Sequence, residues 1–253
     1  MGEKTSIEWC DKTFNPWIGC TKVSPACDNC YAAEWDKRYE GGKHWGPKAP
    51  RRRTSEKNWN APLKWDAEAA KHVVRYRVFC ASLADVFDNQ VDPAWRADLW
   101  ELIRSTPNLD WLLLTKRAPN IAKMLPSDWG NGYPNVWLGT TVENQNEWDA
   151  RGKQLAVIPA VVRFLSCEPL LGFIQYGDAI KSIDWIITGG ESGANYRHAE
   201  PDWFRAIRDQ CIKAGVAFLF KQWEGTSQPV IKKLGRQLDG KVWDEYPTAR
   251  IAS

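Results

Sequence analysis

The chain is predicted to fold as an α/β protein: a partial or complete TIM-like (β/α) barrel of parallel strands. Two observations carry this. From about residue 76 onward, short apolar runs alternate with amphipathic segments of helical period, the pattern of repeated β-then-α units around a parallel sheet. The runs are apolar on both faces and rich in β-branched or aromatic residues, as strands covered on both sides are. The length of 253 residues suits one such barrel. An open doubly wound sheet is the second choice.

The first strand is placed around Phe14–Gly19 and runs into Cys20. The segment Glu40–Lys64, with Gly41, Gly42, Pro47, Pro50 and three successive arginines, reads as a long loop or insertion. Six further strands follow at Arg77–Ala81, Trp111–Thr115, Val136–Thr140, Val161–Ser166, Trp185–Thr188 and Ala217–Phe220. Between them, Asp92 before Pro93 reads as an N-cap with proline at the first helical position, and Trp95, Leu99, Leu102 and Ile103 form one face. Pro201 opens another helix, with Phe204, Ile207, Cys211 and Ile212 on one side and Gly215 as its stop. The tail after Trp223 is polar and is expected to pack on the barrel, so residues 1–253 read as one domain.

Composition narrows the function. Net charge is +3, too small by itself to argue for nucleic-acid binding. No apolar stretch is long enough to span a membrane, and the N-terminus has no signal-peptide core, so a cytoplasmic protein with no membrane partner is expected. Three of the seven cysteines, Cys20, Cys27 and Cys30, fall within eleven residues. Without a secretion signal, such clustering points to metal or redox chemistry before disulfides. A closed structural site recruits four protein ligands, whereas three leave a position open for a small molecule. A zinc site completed by Cys10 or His44 is the alternative.

In parallel barrels the chemistry gathers at the carboxyl ends of the strands. Here every strand delivers polar groups there: Ser82 and Asp85; Thr115, Lys116 and Arg117; Thr141, Glu143 and Asn144; Ser166, Cys167 and Glu168; Gly189, Gly190 and Glu191; and Lys221. Helix capping accounts for part of this. The rest reads as a polar pocket facing the cysteine loop.

Several runs together resemble a family of bacteriophage and prophage proteins of unknown function with a three-cysteine motif, which look like divergent radical S-adenosylmethionine (radical SAM) enzymes. They are Thr5–Trp9, Asn15–Cys20, the three cysteines, Leu114–Arg117, Glu168–Gly172, Gly189–Gly193 and Phe220–Trp223. The first cysteine gap holds six residues, Thr21 to Ala26, where radical SAM enzymes usually have three. The resemblance implies a barrel of the radical SAM type with the cluster loop after the first strand. It also implies a [4Fe–4S] cluster on Cys20, Cys27 and Cys30, S-adenosylmethionine (SAM) on the open iron, and an external one-electron reductant.

SAM carries an ammonium, a carboxylate and a ribose diol. Asp85, Glu143 and Glu191 are candidate acceptors for it, Lys116 a partner for the carboxylate, and Ser82, Thr141, Ser166 and Asn144 neutral partners. Thr115, Gly189, Gly190 and Lys221 complete the candidate binding set. Cys167, Glu168 and Glu191 are the candidate catalytic residues, Cys167 as hydrogen-atom donor. A nucleobase or nucleotide substrate, as in phage DNA hypermodification, follows from the resemblance, with Arg51–Arg53 as a cationic loop able to meet a nucleic-acid backbone. The rival readings are a zinc-stabilised nucleic-acid-binding module and a zinc hydrolase with Glu168 or Glu191 as base.

Overall fold

The computed structural model describes residues 5–248; the ends of the expected domain and tail, 1–4 and 249–253, lie outside them. Seven strands form one sheet: β1 (Lys12–Phe14), β2 (Tyr76–Cys80), β3 (Leu109–Thr115), β4 (Val136–Thr141), β5 (Val162–Cys167), β6 (Trp185–Gly189) and β7 (Ala217–Gln222). All pairs are parallel and the strands lie in chain order. Sequential order removes the doubly wound alternative, in which the order reverses partway.

The sheet curls without closing. Phe79 on β2 lies 4.6 Å from the Trp9 ring and Trp185 on β6 lies 6.5 Å from it. In a flat sheet, strands four places apart are about 19 Å from one another. Contact of both with one indole therefore requires strong curvature. The architecture is a partial (β/α) barrel.

Two cores follow from the alternation of side chains along each strand. The lumen is filled by Trp9, Phe79, Leu112, Trp137, Phe164, Trp185, Ile187 and Leu219, with the segment before β1 as its plug. The outer face, including Val78, Leu113, Leu165 and Phe218, packs on helices α2 (Ala61–His72), α3 (Pro93–Arg104), α4 (Ala118–Met124) and α5 (Pro201–Ala214). Helix α3 starts as expected, with Asp92 accepting from the Ala94 N–H at 2.9 Å. Gly215 ends α5 in the left-handed region at φ 68°. Ile212, assigned to the inner side of α5, is exposed, and Trp95 is only half-buried.

Two other expectations need correction. The first sheet strand ends at Phe14, earlier than placed, because Pro16 lacks the N–H to extend it. Trp17–Ile18 instead pairs antiparallel with Arg52–Arg53. The 40–64 segment is not all loop: it holds that pairing, a short helix at Glu56–Trp59 and the start of α2.

The tail packs on the barrel and covers its open edge. The Phe220 N–H donates to the Trp243 carbonyl at 3.0 Å, and the Glu245 N–H to the Phe218 carbonyl at 3.1 Å. Free β-edges invite pairing with other chains, and this segment blunts one. Among the described residues no helix is long and apolar enough to cross a membrane.

Candidate functional site

Above the aromatic lumen, at the carboxyl ends of the strands, lies a cavity of about 660 Å³, within the usual range of small-molecule sites. Cys20, Cys27 and Cys30 all line it. Gly19 has φ +112°, and a side chain there would meet the His44 carbonyl at 2.4 Å, so glycine is required just before Cys20. Pro25 opens a 3-10 turn ending at Cys27, and Cys30 takes the N-cap position of α1 (Tyr31–Tyr39).

The loop is clamped from the strand ends above it. The Ala26 N–H donates to Glu143 Oε1 at 3.1 Å, and Glu143 is fully buried and paired with Arg151 at 3.3 Å. Arg197 donates to the Pro25 carbonyl and to Asp28, both at 3.1 Å. Glu191 accepts from Asn29 at 3.0 Å, and from the Arg197 N–H and Nε at 2.8 and 2.9 Å. Gly190 passes so close to the next loop that a side chain would meet the Glu224 nitrogen at 2.2 Å.

Burial raises the Glu191 pKa, but the bonds from Arg197 and Asn29 more than offset this and hold it below its ordinary 4.5. A carboxylate whose folded pKa is depressed stabilises the fold above its unfolded value, and that contribution is lost as pH falls through the folded value. The clamp is therefore expected to hold at neutral pH and to loosen as the pH falls below the group's ordinary 4.5. Limited proteolysis of the 20–30 loop should accelerate there in the wild type. In Glu191→Gln the same loop should be cut readily at neutral pH; equal resistance in both proteins would remove this role.

Arg117 reaches the loop from β3. Its Nη1 donates to Cys20 Sγ at 3.3 Å and to Asp85 at 3.0 Å, and its Nη2 to the Thr21 carbonyl at 3.0 Å. Burial and the nearby Asp85 carboxylate push the Cys20 thiol up to about 11, against the opposing effect of Arg117. At neutral pH it becomes a thiolate only with a bound cation to favour it. Asp85 is fully occupied, accepting also from the Thr115 hydroxyl at 2.7 Å and the Lys116 N–H at 3.1 Å. On the floor, Glu168 meets Trp9 Nε1 and Ser166 at 3.3 Å each and Lys221 at 3.1 Å.

Of the candidates, Ser82, Thr115, Lys116, Thr141, Ser166 and Lys221 line the cavity, as do Asp85, Glu168, Gly190 and Glu191. Four do not. Cys167 faces the outer core, wholly buried, 3.2 Å from the Tyr176 hydroxyl, with burial pushing its thiol to about 12; it cannot reach a substrate in the cavity. Glu143 braces the cysteine loop, Asn144 caps the helical turn at Gln145–Glu147 through the Glu147 N–H at 3.1 Å, and Gly189 packs under Glu168.

The cationic-loop reading of Arg51–Arg53 also fails. Arg51 is buried on Asp88, Arg52 pairs with Glu40 and Arg53 with Asp98, so each guanidinium is neutralised within the fold. Arg117, placed at the polar rim by its sequence position alone, carried no role there; the structure assigns it the bond to Cys20. Asn29 carried no local signal because its partners Glu191 and Asn195 are distant in sequence, and Arg197, although six residues from Glu191, meets Asp28 and Pro25 only through the fold.

Chemically, a set of three free thiols beside an open cavity suits a cluster with one open iron. Among the described residues no three His, Cys, Asp or Glu side chains, those three thiols included, are gathered to hold a metal ion. The two residues proposed to close a four-ligand zinc site are engaged elsewhere: Cys10 is buried in the lumen core, and the His44 ring bonds the Pro50 carbonyl at 2.9 Å.

No curated protein matches the chain. Among solved structures it is similar to a mutant spore photoproduct lyase with bound AdoMet and dinucleoside spore photoproduct, at 14% identity and a TM-score of 0.47; the match covers 81% of this chain and 62% of that one. A family model described as "Protein of unknown function (DUF5131)" matches residues 4–247. Matched over nearly its whole length, the chain belongs to the DUF5131 family.

Proposed function

We propose that the protein is a radical SAM enzyme. The observation that carries this is the placement of Cys20, Cys27 and Cys30 on the loop that follows β1 and Trp17–Ile18, lining the cavity at the carboxyl ends of the strands. Cys20, Cys27 and Cys30 would hold a [4Fe–4S] cluster with one open iron, which would pass an electron from an external reductant to the SAM sulfonium for its cleavage into methionine and a 5′-deoxyadenosyl group. The chain's own residues hold and orient. Arg117 donates to Cys20, and the Glu143 and Glu191–Arg197 contacts fix the loop that carries the other two thiols. Lys116 is the candidate partner of the SAM carboxylate. Thr141 offers a buried hydroxyl with no bonding partner among the described residues. The packed aromatic lumen closes the floor of the cavity against water. Seven free cysteines fit a reducing compartment such as the cytoplasm.

Because Arg51–Arg53 is taken up by internal pairs, recognition of any nucleotide substrate falls to the cavity. Anaerobic purification, with iron, sulfide and zinc measured on one sample, followed by dithionite and SAM, tests the reading. About four irons and four sulfides per chain, with release of 5′-deoxyadenosine, are expected. One zinc and no iron, after expression with adequate iron, would sink it in favour of the zinc-stabilised binding module.

A further inference from the structure

One of the three thiols stands apart from the others. Cys20 Sγ accepts from Arg117 Nη1 at 3.3 Å, and among the described residues no charged side chain donates to Cys27 or Cys30. The guanidinium is 11% exposed, and its place does not depend on the sulfur. Nη1 also donates to Asp85 at 3.0 Å and Nη2 to the Thr21 carbonyl at 3.0 Å, while Asp88 lies 3.9 Å from Nε. Asp85, with a side chain 6% exposed, is fixed in turn by the Thr115 hydroxyl and by the N–H groups of Phe87 and Lys116, at 2.7–3.1 Å. A buried cation thus touches the thiol, and a buried carboxylate holds the same nitrogen of that cation.

Net charge and hydrogen bonds to the sulfurs are among the factors that set the potential of an iron–sulfur cluster. One electron from the external reductant would take a doubly positive core to a singly positive one. With its three thiolates the whole then passes from one net negative charge to two, and no proton has to move. A cation that donates to a thiolate favours the more negative form and so raises the potential. A carboxylate nearby disfavours that form and lowers it. Both groups are buried, where salt screens them little. Their opposed effects meet at one sulfur.

We infer that Arg117 and Asp85 set the reduction potential of the cluster through Cys20, Arg117 raising it and Asp85 lowering it. This rests on the radical SAM reading. The test is an anaerobic redox titration of the purified protein followed by electron paramagnetic resonance, without SAM, with iron and sulfide measured on the same samples. In Arg117→Gln the ratio of reduced to oxidised cluster at a fixed potential should fall about tenfold, a shift of about 59 mV to lower potential for one electron. Arg117→Lys keeps the charge without the planar fork and should fall by less. Asp85→Asn should shift in the opposite direction. A purely structural role would loosen the loop in all three variants and predicts no change of sign among them. With about four irons per chain retained, an unchanged midpoint in Arg117→Gln, or a shift of the same sign in Asp85→Asn, would overturn the proposal and leave the radical SAM reading standing. Should Arg117→Gln lose its iron, the difference in sign between Arg117→Lys and Asp85→Asn decides. Zinc without iron in the wild type would remove both the proposal and the reading.

Discussion

Replacing Arg51 with alanine is expected to destabilise the protein by about 3 kcal/mol or more. The Arg51 side chain is 1% exposed and its partner Asp88 2%. Its Nε donates to Asp88 at 2.8 Å and its Nη2 to Thr21 at 2.7 Å. Its Nη1 donates to the carbonyls of His44, Gly46 and Ala49 at 2.9–3.2 Å. Alanine would leave a buried carboxylate short of its main counter-charge and three carbonyls short of a donor, and both losses are costly in a low-dielectric setting. Asp88 keeps the Gln90 N–H at 3.1 Å and a longer approach from Arg117, so the loss stays below that of an isolated charge. Arg52, 40% exposed, should cost no more than about 1 kcal/mol on the same substitution. Urea unfolding of the two variants checks this, and a small effect at Arg51 equal to that at Arg52 would mean the 40–51 segment is not braced from within.

Arg51 also shows where sequence reasoning runs out. Three arginines in a row look the same whether they face solvent, a nucleic acid or buried acids, and their partners Glu40, Asp88 and Asp98 follow no local spacing. The strands β2–β7 were legible because burial on both faces makes continuous apolar runs, and their boundaries moved by only one or two residues. β1 was harder: Lys12 and Thr13 look like surface residues, and the Lys12 ammonium lies over the Tyr76 ring at 5.0 Å. That the polar strand ends share one rim follows from parallel order alone. Which way each side chain points follows from the period of two, and that signal was present. Ser166 and Glu168 fall on the cavity face, so Cys167 between them must face the helices. The start of α2 was likewise readable, with Pro62 in its first turn and Trp65 and Ala69 on one buried side.

Replacing Cys27 with alanine is expected to take iron from about four per chain to near zero and abolish 5′-deoxyadenosine formation, while leaving the barrel folded. The two outcomes separate because the loop is held by groups other than its thiols. The Ala26 N–H, the Pro25 carbonyl, Asp28 and Asn29 make the bonds to Glu143, Arg197 and Glu191, and none of these uses the Cys27 side chain. Removing one sulfur atom from a half-buried position should change the stability of the metal-free chain by no more than about 1 kcal/mol. Arg197→Ala should behave in the opposite way, keeping all three thiols while releasing the loop, so that iron is bound but lost more readily on dilution or chelation. SAM cleavage persisting in Cys27→Ala would remove it from the ligand set. Iron loss in Cys27→Ala beside weakened retention in Arg197→Ala is what a three-thiol site on a clamped loop requires, and a structural zinc elsewhere in the fold would respond to neither.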